Sequence, residues 1–120
     1  MWQWDQSAGE LSREGKVVAK GYAGHDWGKN NPDAQAVRGI GPVPRGLWGI
    51  QPPRDSSGLG PYVLNLLPQK GTVTHGRSLF RIHGDSAKMP GKASHGCIIV
   101  PRVARMAIWE SGDHVIVVVE

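Results

Sequence analysis

The sequence contains a single cysteine, and two histidines lie near it along the chain. His95 stands two residues before Cys97, and His83 lies further upstream. A thiol becomes a strong nucleophile only when it loses its proton, which takes a base within hydrogen-bond reach or a positive electrostatic setting. Imidazole is the most common base in such proton transfers. These three residues therefore predict a cysteine nucleophile that is activated by histidine.

The residues beside Cys97 also favour chemistry over simple packing. Free cysteine is among the most buried residue types, so the run Cys97–Val100 by itself is typical of a core strand. A core strand does not, however, begin with the polar, glycine-broken approach Ser94-His95-Gly96. Gly96 leaves room for a substrate backbone next to the sulfur. We expect the N–H groups of Gly96 and Cys97 to form an oxyanion hole.

Short strands and turns are predicted to position these residues, because the chain holds 17 glycines and 9 prolines among 120 residues. In the strand 80–83, alternation places Phe80 and Ile82 on one face and Arg81 and His83 on the other, so that His83 points away from the core. Further strands are predicted at 3–6, 16–22, 62–67 and 115–119 and at the end of the segment 41–50. Residues 24–41 are expected to form a long loop, and 51–60 a polar turn region.

One helix is predicted after Pro101, because proline suits the first helical position, and Gly112 is placed to end it. The expected buried face comprises Val103, Ala104, Met106, Ala107 and Ile108, with Arg102, Arg105 and Trp109 on the opposite stripe. The sequence thus predicts a mainly β protein with one helix, formed as a single domain over residues 1–120.

Composition excludes several classes of function. The net charge is +4, but no block of five or more basic residues is present, so nucleic-acid binding is not expected. No apolar stretch approaches the roughly 20 residues that cross a bilayer, so membrane insertion is not expected. Residues 1–5 lack the pattern of a secretory signal, which predicts synthesis in the cytoplasm. A single cysteine forms no intrachain disulfide.

The motif His83-Gly84, followed by Ser94-His95-Gly96-Cys97-Ile98, resembles the signature of the L,D-transpeptidases, the YkuD-like enzymes of peptidoglycan. The segment 44–50 is similar to the family's upstream Pro-x-Gly-x-aromatic-x-Ile strand. Three shorter motifs, at 21–24, 30–32 and 41–44, resemble one subgroup, the type VI secretion L,D-transpeptidase effectors, which are toxins delivered into the periplasm of rival bacteria. The implied fold is an L,D-transpeptidase-like β-sandwich or barrel with one helix after the cysteine.

The resemblance implies a role for each motif residue. Cys97 would be the nucleophile, His83 its base, and the carbonyl of Gly84 the group that orients His83. Ser94, His95 and Gly96 would shape the pocket. The substrate would be a peptidoglycan stem peptide, from which Cys97 expels a terminal D-alanine to leave a thioester. Water would then release the shortened stem (L,D-carboxypeptidase), or another D-amino acid would replace the alanine (L,D-transpeptidase). No cofactor and no metal is implied.

The sequence departs from the broad family just after the cysteine, where most members carry an arginine or asparagine and this chain has Ile99 and Val100. The residue that holds the substrate carboxylate therefore stays open. The candidate substrate-binding residues are Arg81, Asp85, Lys92 and Arg102, with Lys88 as a further cation. The loop 85–93 is expected to cover the nucleophile and to gate the stem peptide.

Two alternatives remain beside this hypothesis. A zinc hydrolase would use His83, Asp85, His95 and Cys97 as ligands, all of which are acceptable to zinc. A non-catalytic cell-wall-binding module would use the basic charge and the tryptophans. If the effector hypothesis holds, the protein acts in the periplasm of a target bacterium after secretion, and a cognate immunity protein would be a further partner.

Overall fold

The computed structural model describes all residues 1–120 and consists of ten short strands and one α-helix. In chain order they are β1 (Trp2–Asp5), β2 (Glu10–Arg13), β3 (Lys16–Lys20), β4 (Tyr22–Ala23), β5 (Gly46–Ile50), β6 (Arg54–Ser56), β7 (Gly60–Pro68), β8 (Arg81–His83), β9 (Ile98–Ile99), α1 (Arg102–Glu110) and β10 (Val115–Val119). The long loop between β4 and β5 contains two 3₁₀ turns, Asp26–Gly28 and Pro32–Ala34. No helix of the chain has the length and apolar character needed to cross a membrane.

The strands form one curved sheet in the order β3-β2-β1-β10-β5-β7-β8-β9-β4, and β6 pairs with β7 beside this path. The two ends of the path, β3 and β4, are consecutive in the chain and are separated only by Gly21. The sheet must therefore curve round until its edges approach each other. The prediction of a mainly β fold with one helix after Cys97 is confirmed.

Gly21 explains why the predicted strand 16–22 is two strands. A side chain at Gly21 would place its Cβ 1.8 Å from the carbonyl oxygen of Ile99, so only glycine allows the chain to pass β9 at this point. Beyond it, Tyr22 pairs with Ile99 and Ala23 with Ile98. The strands β2 and β6 were not expected, because polar residues and turn signals obscure their alternation.

Alternation along the strands encloses one hydrophobic core of 17 buried residues. Trp2, Trp4 and Trp48 belong to it, whereas Trp27 in the long loop is exposed. Three of the five tryptophans therefore contribute their large apolar rings to the interior. The centre of the core lies under β7, β8 and β9, where Leu64 pairs with Ile82 and Ile82 with Ile98.

The buried face of α1 differs from the predicted one. The helix packs against β7 and β8, but Val103 is 76% exposed and Arg105 is 3% exposed. Arg105 donates hydrogen bonds to the carbonyl oxygens of Val100 (2.6 Å), Tyr62 (2.9 Å) and Pro61 (3.2 Å). Strand ends leave such carbonyls unpaired, and a buried carbonyl without a donor is costly. The need for a donor therefore outweighs the hydrophobic pattern of the helix.

Candidate active site

Strand register brings the sulfur and an imidazole to the same face of the sheet. Strands β8 and β9 are parallel, with Ile82 opposite Ile98. Arg81 precedes Ile82 in β8 and Cys97 directly precedes β9, and the Arg81 backbone N–H and charge both act on the Cys97 thiol. Successive side chains of a strand point to opposite faces, so Cys97, Arg81 and His83 all face away from the core side that Ile82 and Ile98 occupy.

A cavity of about 470 Å³ opens over this face of the sheet. Cys97 is half-buried at its wall, and His83 and His95 line the same cavity. The other lining residues come from four places: the long loop, β8 with the segment before it, the β6–β7 turn, and the loop 93–97 that carries Cys97 (the nucleophile loop). They are Arg38, Gly39, Leu59, Gly76, Arg77, Ser78, Leu79, Phe80, Arg81 and Ala93. The structure thus brings together Cys97, both motif histidines and one predicted substrate-binding residue, Arg81.

The imidazole of His83 is held by its neighbour. Nδ1 lies 2.9 Å from the carbonyl oxygen of Gly84. A carbonyl can only accept, so Nδ1 carries the proton in this contact and Nε2 is left with its lone pair. Burial lowers the pKa of His83, and the charges of Arg105 and Arg81 lower it further. The hydrogen bond to Gly84 raises this pKa, but by less than the other effects lower it. His83 is therefore neutral near pH 7 and able to take up a proton.

The thiol of Cys97 rests in its protonated form. Burial raises the pKa of Cys97, and this outweighs the opposing effects of the Arg81 backbone N–H and of the charges on Arg81 and Arg77. The thiol lies 3.7 Å from the carbonyl oxygen of Leu79, to which it donates. The site therefore holds a neutral thiol and a neutral imidazole at the wall of one cavity.

Ser94 organises the loop that presents Cys97. Its buried hydroxyl accepts hydrogen bonds from the N–H of Gly24 (2.9 Å) and of Gly96 (3.1 Å), and it donates to the carbonyl oxygen of Cys97 (2.6 Å). The N–H of Gly96 is thus engaged inside the loop, contrary to the expected oxyanion hole of two adjacent N–H groups. The N–H of Cys97 remains the candidate donor to an oxyanion.

Gly96 is required by both conformation and space. Its φ of +143° lies in a region that side chains disfavour. A Cβ there would also stand 2.7 Å from Nη2 of Arg77 and 2.8 Å from Cε1 of Phe80. The carbonyl of Gly96 accepts a hydrogen bond from the N–H of Val43 at 2.9 Å, which ties the loop to the segment before β5.

Arg77 is a site residue that the sequence did not indicate. Its buried guanidinium donates to four backbone carbonyls, those of Gln35 (2.6 Å), Gly41 (2.8 Å), Pro42 (3.0 Å) and His95 (3.1 Å). It also packs over the ring of Phe80. Arg77 therefore joins the long loop to the nucleophile loop and places a positive charge near the sulfur. A lone arginine in a turn-rich segment carries no pattern that would have revealed this.

His95 lies at the outer wall of the cavity and is exposed. Its Nδ1 is 3.2 Å from the carbonyl oxygen of Gly39, and its ring centroid is 4.6 Å from that of His25. The long loop 24–41 thus forms one wall of the site, as its length suggested. His25 lies behind His95 and does not itself line the cavity.

The remaining substrate-binding candidates lie elsewhere. Lys92 and Asp85 line a neighbouring cavity of about 430 Å³, which shares His83 with the first. Arg102 lies exposed on α1, with its guanidinium 6.0 Å from the centroid of the Tyr62 ring. Lys88 is exposed and lines neither cavity.

Asp85 is engaged within its own loop instead of being free for substrate. Its carboxylate accepts hydrogen bonds from the hydroxyl of Tyr22 (2.5 Å) and from the N–H groups of Ser86 (2.8 Å) and Gly91 (3.1 Å). Burial alone would raise the pKa of Asp85, but these bonds and the charge of Lys29 hold it below its usual range. Burial, together with the bond to Asp85, raises the pKa of Tyr22 to about 12.

The ligand set of the zinc alternative is not assembled. No group of three or more His, Cys, Asp or Glu side chains in the structure is arranged to hold a metal ion. The carboxylate of Asp85 is turned to Tyr22 and its own loop, away from Cys97. The four proposed ligands therefore do not form the tetrahedral shell that zinc requires.

Comparison with known proteins adds two findings. Residues 17–116 match the family described as the Tlde1 domain. The fold resembles that of an L,D-transpeptidase from Xylanimonas cellulosilytica DSM 15894, known from a crystal structure, with a TM-score of 0.53 and 20% sequence identity. The likeness covers 98% of this chain and 59% of that one, so the chain spans about three-fifths of the solved protein. No curated protein matches the sequence.

Proposed function

Because the chain belongs to the Tlde1 domain family, we propose that it is a cysteine-dependent enzyme that acts on peptidoglycan stem peptides. The observation that carries the proposal is the placement of Cys97 and His83 at the wall of one cavity. His83 ends β8, Cys97 directly precedes the parallel strand β9, and Nδ1 of His83 is fixed by Gly84 so that Nε2 is available as a base. Mere binding of the cell wall would not require this arrangement.

The proposed reaction begins with the neutral pair. Nε2 of His83 takes the thiol proton as the sulfur of Cys97 forms a bond to the carbonyl carbon of the third stem residue. The negative charge that develops on the carbonyl oxygen is stabilised by nearby N–H groups, of which that of Cys97 is the candidate. The C–N bond to the terminal D-alanine then breaks, and the protonated imidazole returns its proton to the leaving amine.

The thioester has two fates in this scheme. Water gives the shortened stem, which is L,D-carboxypeptidase action, and the amine of another D-amino acid gives an exchanged stem, which is L,D-transpeptidase action. His83 serves both, since it is neutral again after the first step and can take a proton from either nucleophile.

We further propose that the protein is an antibacterial type VI secretion effector that acts in the periplasm of a target bacterium. The family match and the L,D-transpeptidase-like fold support this assignment. The net charge of +4 is compatible with work at an anionic cell wall. A cognate immunity protein in the producing cell is part of the proposal.

The test uses purified protein and tetrapeptide muropeptides, with mass spectrometry to follow D-alanine release. Wild type should release D-alanine, and Cys97→Ala and His83→Ala should lose nearly all of that activity while still folding. Lys16→Ala is the control, because its side chain is exposed on β3 and lines none of the cavities near Cys97. An inactive wild type, or a fully active Cys97→Ala protein, would overturn the proposal.

The two alternatives have distinct outcomes in the same assay. A zinc hydrolase would carry bound zinc and lose activity with a chelator, whereas the proposed enzyme should keep its activity with a chelator and lose it on thiol alkylation. A non-catalytic wall-binding module would retain wall binding and its biological effect when Cys97 is alkylated, whereas the proposed enzyme loses its effect.

A further inference from the structure

A row of polar side chains crosses the sheet beside the nucleophile. Arg81 of β8 pairs with Asn65 of β7 on one side, and on the other its backbone N–H and charge act on Cys97, the residue before β9. On the far side of Asn65, the N–H of Gln51 donates to the Asn65 carbonyl at 2.9 Å, which continues the row. Neighbouring strands are about 4.8 Å apart, so these side chains succeed one another at that spacing on the face that holds His83.

Arg81 and Asn65 have unused hydrogen-bonding capacity. The guanidinium of Arg81 makes one long contact, 3.4 Å to the carbonyl oxygen of Leu79, and forms no ion pair with a carboxylate. The side-chain amide of Asn65 makes no hydrogen bond within the protein, and its Oδ1 is buried without a partner. Oδ1 can only accept, so Nδ2 is the atom of Asn65 that can donate to an anionic ligand.

A second cavity, of about 340 Å³, opens directly over this row. It shares the lining segment 77–81 with the cavity of Cys97, so the two cavities are neighbours. Its walls include apolar residues from β5, β7 and the loop before β8, namely Trp48, Leu66, Leu67, Pro68, Leu79 and Phe80. An apolar compartment therefore lies next to the cavity of the nucleophile, with a free cation between them.

The other cations near Cys97 do not fit the same role. Arg77 has its donors committed to four backbone carbonyls. Arg38 donates to the carbonyl of Gly76 and does not line the second cavity. Lys92 faces the cavity on the opposite side of His83. Arg81 is the cation that is adjacent to the sulfur, uncommitted and open to the second cavity.

From this arrangement we propose that the second cavity binds the amino acid that leaves the stem peptide or is joined to it, with Arg81 and Asn65 holding its α-carboxylate and the apolar walls holding its side chain. The proposal rests on the proposed function and adds a binding site and a substrate preference to it. Two donors at one strand spacing suit a carboxylate, and a charge-assisted bond from arginine is the strongest available.

One site serves both amino acids because the two half-reactions mirror each other. When the acyl group is transferred, the incoming amine forms a C–N bond to the thioester carbon and the C–S bond breaks. A proton from the amine passes to His83, and then to the sulfur. This is the reverse of D-alanine departure, so the entering amine approaches from where the leaving amine withdrew. The α-carboxylate, two bonds from that nitrogen, then lies over Arg81 and Asn65.

The compartment predicts a preference among acceptors. A volume of about 340 Å³ is far more than the methyl group of alanine fills. A large apolar side chain gains favourable burial there, at roughly 25 cal/mol per Å² of apolar surface, whereas a charged side chain loses its hydration. D-Leucine and D-phenylalanine should therefore be better acceptors than D-alanine, D-lysine or D-glutamate.

The experiment compares D-leucine with D-leucinamide, which lacks the carboxylate, as acceptors for the tetrapeptide donor. In wild type, the apparent KM for D-leucine should be about tenfold or more lower, the size of effect that a charge-assisted hydrogen bond gives. Arg81→Gln should bring the ratio of the two KM values close to one, and Asn65→Leu should reduce the ratio. Arg102→Gln, the same chemical change at an exposed position on α1, should keep the wild-type ratio. Comparing ratios between variants cancels the different basicity of the two amines.

The possible outcomes distinguish a failure of this inference from a failure of the proposed function. If wild type releases no D-alanine, the proposed function fails. If wild type releases D-alanine and exchanges it, but Arg81→Gln keeps the full wild-type ratio, only the assignment of the second cavity fails. A wild type that uses D-leucine and D-leucinamide equally, or that prefers D-glutamate to D-leucine, overturns the assignment without any variant.

Discussion

The hydroxyl of Ser94 is 2.6 Å from the carbonyl oxygen of Cys97 and so closes the turn that presents the sulfur. The same oxygen accepts two N–H groups, from Gly24 and Gly96, and Ser94 is fully buried. One hydroxyl therefore satisfies three backbone groups that have no other means of pairing. The sulfur of Cys97 is therefore positioned by this loop, and not by the two-residue strand β9 alone.

Replacing Ser94 should harm both the stability and the activity of the protein. Ser94→Ala leaves buried N–H groups at Gly24 and Gly96 without an acceptor, which costs about 1–3 kcal/mol of unfolding free energy for each such group. We expect a fall in kcat of more than tenfold, because the sulfur is no longer held. Urea unfolding and D-alanine release measure the two effects. Ser12→Ala in β2, outside the site, should change neither, and an unchanged Ser94→Ala protein would contradict this role.

Gly96→Ala should abolish activity because the added methyl group displaces the loop that carries Cys97. The added methyl group would stand 2.7 Å from Nη2 of Arg77 and 2.8 Å from the Phe80 ring, at a backbone φ of +143°. The loop has to shift, and a displacement of about 1 Å at a reacting atom can cost on the order of 10²-fold in rate. Gly58→Ala, where open space surrounds the Cβ position, is the matched control. Equal kcat values for the two variants would refute the argument.

Part of the site was accessible from the sequence because it follows local rules. The alternation Phe80-Arg81-Ile82-His83 places His83 on the outer face of its strand, and the approach Ser94-His95-Gly96 distinguishes Cys97 from a core cysteine. The spacing of these residues along the chain does not predict that β8 and β9 are parallel neighbours, and only the structure shows this pairing. The roles of His83 and Cys97 stay predictions until they are measured.

Arg77 and Arg105 could not be found in the sequence. Both are buried, and both donate to backbone carbonyls, three for Arg105 and four for Arg77. Backbone carbonyls belong to every residue, so their need for a donor leaves no pattern of residue types. The helical pattern even placed Arg105 on the exposed stripe. Hydrophobic periodicity depends only on side-chain polarity, so it contains no information about backbone carbonyls that other parts of the fold leave unpaired.

The pH dependence of the reaction should show a neutral resting pair. Burial lowers the pKa of His83, so kcat/KM should fall only at pH values below the ordinary imidazole pKa of about 6.5, where His83 becomes protonated. Burial raises the pKa of Cys97, so iodoacetamide should alkylate the thiol with a midpoint above the ordinary value of about 8.5. An alkylation midpoint below pH 6.5 would indicate a preformed thiolate–imidazolium pair and contradict the assignment.

Arg105 should affect both stability and the titration of His83. Arg105→Met leaves the carbonyls of Val100, Tyr62 and Pro61 without their donor, a loss of about 3 kcal/mol or more in unfolding free energy. Its charge is also one of the causes that lower the pKa of His83. The acid limb of kcat/KM should therefore move to higher pH in Arg105→Met. Arg105→Lys retains the charge and should keep the acid limb near its wild-type position, and identical limbs in all three proteins would show that Arg105 is only structural.

The loop 85–93 should open when its bond to β4 is lost. The hydroxyl of Tyr22 donates to Asp85 and accepts the N–H of Ala93, so it holds both ends of the loop. Tyr22→Phe removes both bonds, and trypsin should then cleave after Lys88 and Lys92 several-fold faster. Because the pKa of Asp85 is lowered, the contribution of its bonds is present above the pKa of an unfolded Asp and is lost as the pH falls through the folded value. In acid, wild type should therefore be cleaved about as fast as Tyr22→Phe, and a short treatment with an acid-active protease would measure this.

If the loop 85–93 covers the route of the stem peptide, Lys92→Ala should raise KM more than it lowers kcat. Equal effects on KM and kcat would leave the loop without that role.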